Sequence, residues 1–403
     1  MGPVGATAPG RAERAKAWAE LLRLPALFTV PGDALAGAAA TGAHANPRTL
    51  LAIGSSLCLY EAGMALNDWA DQAEDAAERP HRPLPSGRIH PAAALTAACV
   101  LTGAGLSLAA CAGRTALAVA VPLAATVWAY DLTLKHTPAG PFAMATARGL
   151  DLLLGAAATA GRGGRGERGP RGERGGRSSR GANGSAGVGA TGVTAPGLRA
   201  TGVTESGLRA TGVTEPGLRA TGSASATPSR PAHGVRQALP SAALLSAHTL
   251  AVTTVSRRET QGGSSLAPLA ALATTAVLTR LLTHPPTAPS TVPPTGPPTA
   301  SPGGESGNQG AGPGALTSAP APATRVLATA LAATYAATAG RSYFHAALNP
   351  SPPLTQRAVV GGIRAMIPLQ SALAARSGAT ATALLTAALA PLAARCARKV
   401  SVT

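Results

Sequence analysis

The chain has 403 residues, 45% hydrophobic and only 13% charged, with a formal net charge of +17. That composition argues against a pair of ordinary soluble domains, because the charges are clustered and long stretches carry almost none. Nucleic acid is excluded as the main partner: much of the positive charge falls in a Gly/Arg-rich stretch at 162–180, and three Trp, four Tyr and three Phe are too few to stack bases.

In chain order, Arg11, Arg14, Lys16 and Arg23 precede a first apolar segment at 24–42, which Pro31 and Asp33 interrupt. No cleavage site is evident there, so the segment reads as an uncleaved first span. Further segments of membrane-crossing length follow at 50–66, 91–111, 115–134, 139–160, 238–256, 264–283, 324–347, 357–375 and 379–395. Pro91 suits a first helical turn, and Gly113 with Arg114 separates the third segment from the fourth. The expected fold is all-α: a polytopic membrane bundle of nine or ten transmembrane helices. Its domains are 1–160, the first half of the bundle; 161–237, a low-complexity insert; 238–284, further membrane helices; 285–323, a Pro/Thr/Ser-rich loop; and 324–403, the C-terminal helices.

The insert runs in Gly-X-Y triplets from Gly163 to Arg177 and repeats a ten-residue unit three times between Thr191 and Ala220. A collagen helix needs three chains and many more triplets, and the repeats lack apolar content to stack, so the insert and the 285–323 loop read as disordered linkers. Placing the N-terminus in the cytoplasm puts Arg79, Arg82, Arg88, Lys135, Arg257 with Arg258, Arg341 and Arg357 in cytoplasmic connections. Of the four cysteines, no two have metal-ligand spacing, and they read as small hydrophobes.

The chemistry concentrates at the end of the second segment. Asp68, Asp71, Glu74, Asp75 and Glu78 place five of the 17 acidic residues in eleven positions. Asn67, Asp71 and Asp75 stand at i, i+4 and i+8, which stacks three oxygen-bearing side chains on one helical face. Crowded carboxylates repel unless a cation sits among them, and an oxygen-only donor set suits Mg²⁺. Arg79, Arg82 and Arg88 follow at once in a Pro-rich run. An acidic metal face beside three arginines points to a diphosphate site. A solvated helix end would explain one or two acids, not a regular face continuous with an apolar helix.

The run Asn67-Asp68-x-x-Asp71-x-x-x-Asp75, followed by Glu78-Arg79-Pro80-His81-Arg82-Pro83-Leu84-Pro85-Ser86-Gly87-Arg88-Ile89, resembles the first acidic motif of the UbiA superfamily of intramembrane prenyltransferases. The resemblance implies a helical bundle that moves a prenyl group from its diphosphate to a lipophilic acceptor with Mg²⁺. It implies metal ligation by Asn67, Asp71 and Asp75, with Asp68 as an acidic neighbour. The run Trp128 to Lys135 and the Ala/Arg bias are similar to an actinobacterial branch, the UbiA-like proteins found with ebo-type gene clusters. Tyr130 and Lys135 match the family's Tyr-then-Lys motif with one extra residue between them. The implied roles are a lysine on the diphosphate and a tyrosine near the reacting carbon; an interfacial aromatic and a positive-inside lysine are the plain alternative.

The chain departs from the family at its second acidic motif, which here reads Ser256-Arg257-Arg258-Glu259-Thr260-Gln261. One acid remains, and two arginines stand where a second metal would neutralise phosphate. The expected partners are therefore a prenyl diphosphate, a lipophilic acceptor and membrane lipid, with the site facing the cytoplasm. The alternative is a catalytically weak relative that binds or moves a lipid or aromatic precursor. Arg148 and Asp151, at i and i+3, can form an intramembrane ion pair, which reads either as a buried pair fixing helix register or as a substrate contact. Glu61 is expected either to bond a neighbouring helix or to serve an acceptor pocket, and Asp33 is a weaker case of the same kind.

Overall fold

All ten apolar segments are helical in the structure, a computed structural model that describes residues 10–161, 230–257, 264–284 and 322–400. The first half comprises α1 (Arg11–Leu21), α2 (Val30–Ala40), α3 (Pro47–Ala70), α4 (Gln72–Glu78), α5 (Pro91–Ala112), α6 (Arg114–Ala129) and α7 (Gly140–Ala160). The second comprises α8 (Arg230–Ser256), α9 (Leu266–Thr283), α10 (Pro322–Leu348), α11 (Pro352–Arg376) and α12 (Thr380–Val400). A 3₁₀ turn, Leu24–Thr29, leads into α2, and a π-helical turn, Tyr130–Leu134, extends α6. α8 starts at Arg230, inside the stretch expected to be linker; the Gly-X-Y run, the decamer repeats and most of the 285–323 loop lie outside the described residues.

Local signals set the helix starts. Asn46 caps α3 by accepting from Arg48 N at 3.0 Å, with Pro47 at the first helical position. His90 and Pro91 open α5 the same way. Gly113 takes φ 138°, a conformation side chains resist, and so turns α5 directly into α6.

Six of these helices are long and apolar enough to cross a membrane: α3, α5, α6 with its π turn, α8 from His233, α9 and α11. α2 with the end of its preceding turn, and α12, are apolar but shorter. α7 and α10 have the length but are less apolar; α7 carries Arg148 and Asp151. The nine or ten spans expected from sequence are thus ten helices of which six meet both criteria; α2 and α12 fall short in apolar length, and α7 and α10 in hydropathy.

Helix α7 joins two cores. Its Leu154 packs with Ala52, Leu59, Ala109 and Leu123 of α3, α5 and α6. Its Leu152 and Ala156 pack with Leu245, Tyr335, Leu369 and Leu373 of α8, α10 and α11. Alanine supplies most of the buried hydrophobic side chains. In a lipid-facing bundle small residues let backbones approach until dispersion holds them. At the α2–α7 contact, a Cβ on Gly37 would fall 1.9 Å from the Leu152 carbonyl, and one on Gly155 would fall 2.2 Å from the Ala34 carbonyl.

Buried polar groups lock the remaining helices. His248 of α8 donates from Nε2 to the Gly362 carbonyl of α11 at 3.0 Å, and its Nδ1 lies 3.1 Å from the Tyr335 hydroxyl of α10. Gln370 of α11 donates to Asp33 at 2.6 Å and to the Thr29 carbonyl at 2.7 Å. Arg148 of α7 pairs with the same Asp33 and reaches the Thr29 hydroxyl at 3.3 Å. Asp33, with no exposed surface, is therefore held from both α7 and α11.

The α2–α7 approach is testable. Gly155→Ala forces two backbones apart and should cost about 1–3 kcal/mol, seen as a lower melting temperature in detergent. Gly103→Ala, where an added Cβ meets nothing within 4 Å, should melt like the parent. Equal melting of both variants would contradict the close approach.

Candidate active site

Helix α3 presents one face to a cavity of about 480 Å³. Ser56, Leu59, Tyr60, Gly63, Met64, Asn67 and Asp71 recur on that face at helical spacing and line the cavity over roughly 22 Å of helix. The opposite wall carries Val127, Tyr130 and Asp131 from α6 and its π turn, and Met144, Arg148 and Asp151 from α7. The outer end is charged, the middle is apolar, and the inner end is polar again.

At the outer end the helix bends. Asp71 takes φ −90° and ψ 10°, closing α3 and opening α4, although its N–H still bonds Asn67 O and Asp75 N still bonds Asp71 O. The bend divides the acidic face predicted from spacing. Asn67 and Asp71 line the cavity; Asp75 does not. Asp75 is 2% exposed and lies 2.7 Å from Arg82 and 3.5 Å from Arg79. Asp68 faces a neighbouring cavity, paired with Arg23 at 3.4 Å and Arg82 at 3.7 Å. The four expected metal ligands therefore do not converge as a set in this structure.

The carboxylate that joins Asn67 and Asp71 instead is Asp131. Asn67 Nδ2 donates to Asp131 Oδ1 at 3.2 Å, and Asp131 is 4% exposed within the cavity wall. Sequence reading passed over Asp131, although a lone acid in an otherwise apolar span was the available signal. It lies near Gly63, where a Cβ would fall 3.8 Å from Asp131 Oδ2 but 3.0 Å from Val127, so the glycine lets α6 approach closely.

The π turn explains the extra residue between Tyr130 and Lys135. Lys135 N bonds Tyr130 O at 2.9 Å, an i→i+5 closure that accommodates one residue more than an α-turn. Tyr130 lines the cavity, and Lys135, 10% exposed, contacts Asp71 directly. His136 follows, 4.0 Å from Asp71.

The arginine run is anchored by its apolar residues. Leu84 and Ile89 are buried against Leu21, Leu66 and Ala94, which presses the loop onto α1, α3 and α5. Arg79 and Arg82 then reach the cavity, while Arg88 turns away to Glu20 at 2.7 Å and to the His81 carbonyl at 2.8 Å. Arg23, from the end of α1, lines the cavity as well. Ser256 lines it from α8, and the adjacent Arg257 bonds the Thr137 carbonyl in the connection after Lys135. Arg258 and Glu259 lie outside the described residues.

The inner end differs from the sequence expectation. Arg148 pairs with Asp33, not with Asp151, and stacks 5.8 Å above the Tyr60 ring. Asp151 accepts from Ser56 at 2.5 Å. Glu61 points away from the cavity face; it is buried, and neither carboxylate oxygen has a hydrogen-bond partner among the described residues.

Two donor sets are candidates to hold a cation. Asn67, Asp71 and Asp131 line one cavity and offer oxygen alone, since Asn67 spends its amide N–H on Asp131 and keeps its carbonyl for a ligand. Asp71, Glu74 and His136 bring one ligand atom each within 4.8 Å of one another at the mouth, but include an imidazole. Mg²⁺ prefers the all-oxygen set, so the residues present fit it.

Residues 26–167 match the model of the UbiA prenyltransferase family. Every cavity-lining residue except Arg23 and Ser256 falls within that stretch. The chain is 34% identical over 128 residues to a digeranylgeranylglyceryl phosphate synthase of Methanopyrus kandleri, covering 30% of this chain and 45% of that protein. It is 32% identical over 146 residues to the synthase of the same description from Ignicoccus hospitalis, covering 36% of this chain and 48% of that one. The chain thus spans a little under half the length of these curated relatives. Among solved structures, it aligns with a UbiA homolog from Aeropyrum pernix K1 at 14% identity and TM-score 0.47, over 83% of this chain and 96% of that one.

The site assignment separates the acids by role. Asp71→Asn and Asp131→Asn should each weaken Mg²⁺-dependent binding of a prenyl diphosphate by about one to two powers of ten. Asp75→Asn, which strips Arg82 of the nearer of its two buried partners, should act first on melting temperature. Titration calorimetry and thermal melting of the purified variants distinguish the two; unchanged affinity in Asp131→Asn would remove it from the site.

Proposed function

We propose that this protein is a Mg²⁺-dependent intramembrane prenyltransferase that moves a prenyl group from its diphosphate to an aromatic or other small lipophilic acceptor. The observation that carries the reading is one cavity in which oxygen ligands, guanidinium groups and an apolar channel meet. The family match over 26–167 supports it, and the relatives' description as synthases of a prenylated lipid phosphate agrees with it.

The chain's own groups divide the work. Asn67, Asp71 and Asp131 would hold the cation, with Asp75 and Asp68 setting the position of Arg82 behind them. When bound, Mg²⁺ would neutralise the diphosphate and make it a better leaving group. Arg79, Arg82 and Lys135 stand where negative charge grows on that leaving group, fixed before reaction by the buried anchors of their loop and by the π turn. The second-motif residues Arg257, Arg258 and Glu259 would add to this charge from the end of α8. Leu59, Met64, Leu123, Val127 and Met144 line the apolar middle that takes the prenyl chain. Tyr130 lies between this stretch and the charged end, beside the carbon that gains cationic character. Arg23, Arg79, Arg82, Arg88, Lys135 and Arg257 gather at the same end of the bundle, which favours a cytoplasmic mouth. The narrower likeness to the ebo-cluster type rests on the Trp128–Lys135 run and on composition.

The test is turnover in nanodiscs with a prenyl diphosphate, Mg²⁺ and a panel of lipophilic acceptors. Diphosphate release that chelation abolishes, with a prenylated product by mass spectrometry, is the expected result. Lys135→Ala should lower kcat by roughly two powers of ten, as loss of one preorganised charge donor does elsewhere. Tight binding with no diphosphate release for any acceptor would establish the carrier reading instead.

A further inference from the structure

The second half of the bundle is positively charged without internal compensation. From residue 228 onward the sequence has only two acidic side chains, Glu259 and Glu305, and both lie outside the described residues. Arginines nevertheless recur on α8 to α12, and the helices that bear them are apolar. A guanidinium on such a surface needs an anion from elsewhere, since its charge is costly in hydrocarbon.

One place on this half is shaped to receive that anion. A cavity of about 540 Å³ opens between α10 and α11, lined by Ser342, Gln356, Arg357, Val360, Gly361 and Arg364. Arg357 and Arg364 are seven residues apart, so their side chains start from the same helical face with Cα atoms about 10 Å apart along the axis, close enough for two long side chains to reach one ligand between them. Both are exposed, and neither has a hydrogen bond or ion pair among the described residues. Gly361 lies between them; a Cβ there would fall 2.3 Å from Ser342 Oγ, so the glycine both admits α10 closely and keeps the floor of the crevice open.

The surroundings of the crevice are apolar. Val360 and Ile363 on α11 are 44% and 43% exposed, and Phe344 and Leu348 on α10 are 49% and 69% exposed. Beyond this face, every residue of α11 from Ala365 to Ala375 is buried in the bundle. The arginines therefore lie on the exposed N-terminal stretch of α11. The His248–Gly362 bond, two turns from the end of α8 at Ser256, places the α10–α11 turn on the side of the candidate active site. An arginine in that position extends its aliphatic stem along the helix and its charge toward the headgroup layer.

We propose that this crevice binds the headgroup phosphate of an anionic membrane phospholipid. Arg357 and Arg364 hold the phosphate oxygens from two turns of α11, and Ser342 and Gln356 donate to the remaining headgroup oxygens. The acyl chains lie along Phe344, Leu348, Val360 and Ile363. Planar guanidinium forks match phosphate geometry better than a point charge does, and the absence of carboxylates from the lining leaves nothing to compete. The site is separate from the prenyl diphosphate cavity and does not depend on its function.

The experiment is native mass spectrometry of the full chain in neutral detergent, titrated with short-chain phosphatidylglycerol, short-chain phosphatidylcholine or inorganic phosphate. Wild type should retain phosphatidylglycerol well above phosphatidylcholine, and inorganic phosphate at the same concentration should not displace it. Arg357→Gln and Arg364→Gln should each reduce retention by roughly tenfold, Arg364→Lys should restore part of it, and Arg280→Gln, on α9, should leave it intact. Displacement by inorganic phosphate would overturn the lipid assignment. Equal retention in Arg364→Gln, or an equal loss in Arg280→Gln, would overturn the crevice.

Discussion

Arg82 holds two carboxylates at once, 2.7 Å from Asp75 and 3.7 Å from Asp68, at the point where an apolar helix meets water. The arrangement of the outer end follows from that double pairing. It draws the arginine loop back onto α3 and α4, with Leu84 and Ile89 completing the seal. It holds Asp75 and Asp68 off the cavity and leaves Asn67 and Asp71 facing inward. Asp131 then completes an oxygen-lined corner from the opposite wall. Removing Arg82 would leave an almost fully buried Asp75 with only the longer contact to Arg79, an unfavourable state for a charge at low dielectric.

Much of this was legible in the sequence, and the reasons differ by residue. The helices followed from charge-poor segments, the start of α5 from Pro91, and the location of the candidate site from five acids in eleven positions. The spacing argument for Asn67, Asp71 and Asp75 assumed a straight helix; the break at Asp71, and the tertiary pairing of Asp75 with Arg82 and of Asp71 with Lys135, are what spacing cannot report. Asp131 was hidden for a related reason. Its partner Asn67 is 64 residues away, and only the packing of α6 against α3 makes them neighbours. Arg148 and Asp151 were read as partners because they sit one turn apart. The tertiary partners Asp33 and Ser56 take precedence over that local pairing.

The two halves of the bundle divide charge as they divide labour. Every described carboxylate side chain lies before residue 152, and those at the cavity or behind its arginines, Asp33, Asp68, Asp71, Asp75, Asp131 and Asp151, are held against an arginine, a lysine, an amide or a hydroxyl. The second half contributes apolar packing, the His248 and Gln370 locks, and cations that face outward. Gln370 is the clearest link between the halves: it fixes Asp33, which fixes Arg148, which borders the inner end of the cavity. A disturbance in α11 therefore has a direct route to the site through three named side chains.

The central claim is that a divalent cation carrying the diphosphate sits on the oxygen corner formed by Asn67, Asp71 and Asp131. Mn²⁺ in place of Mg²⁺ makes it directly measurable by pulsed electron paramagnetic resonance on the full chain with a bound prenyl diphosphate analogue. The account predicts strong ³¹P coupling, no imidazole ¹⁴N coupling, and loss of the signal in Asp131→Asn. Imidazole nitrogen coupling would place the ion on Asp71, Glu74 and His136 at the mouth, and a signal unchanged in Asp131→Asn would contradict the site altogether.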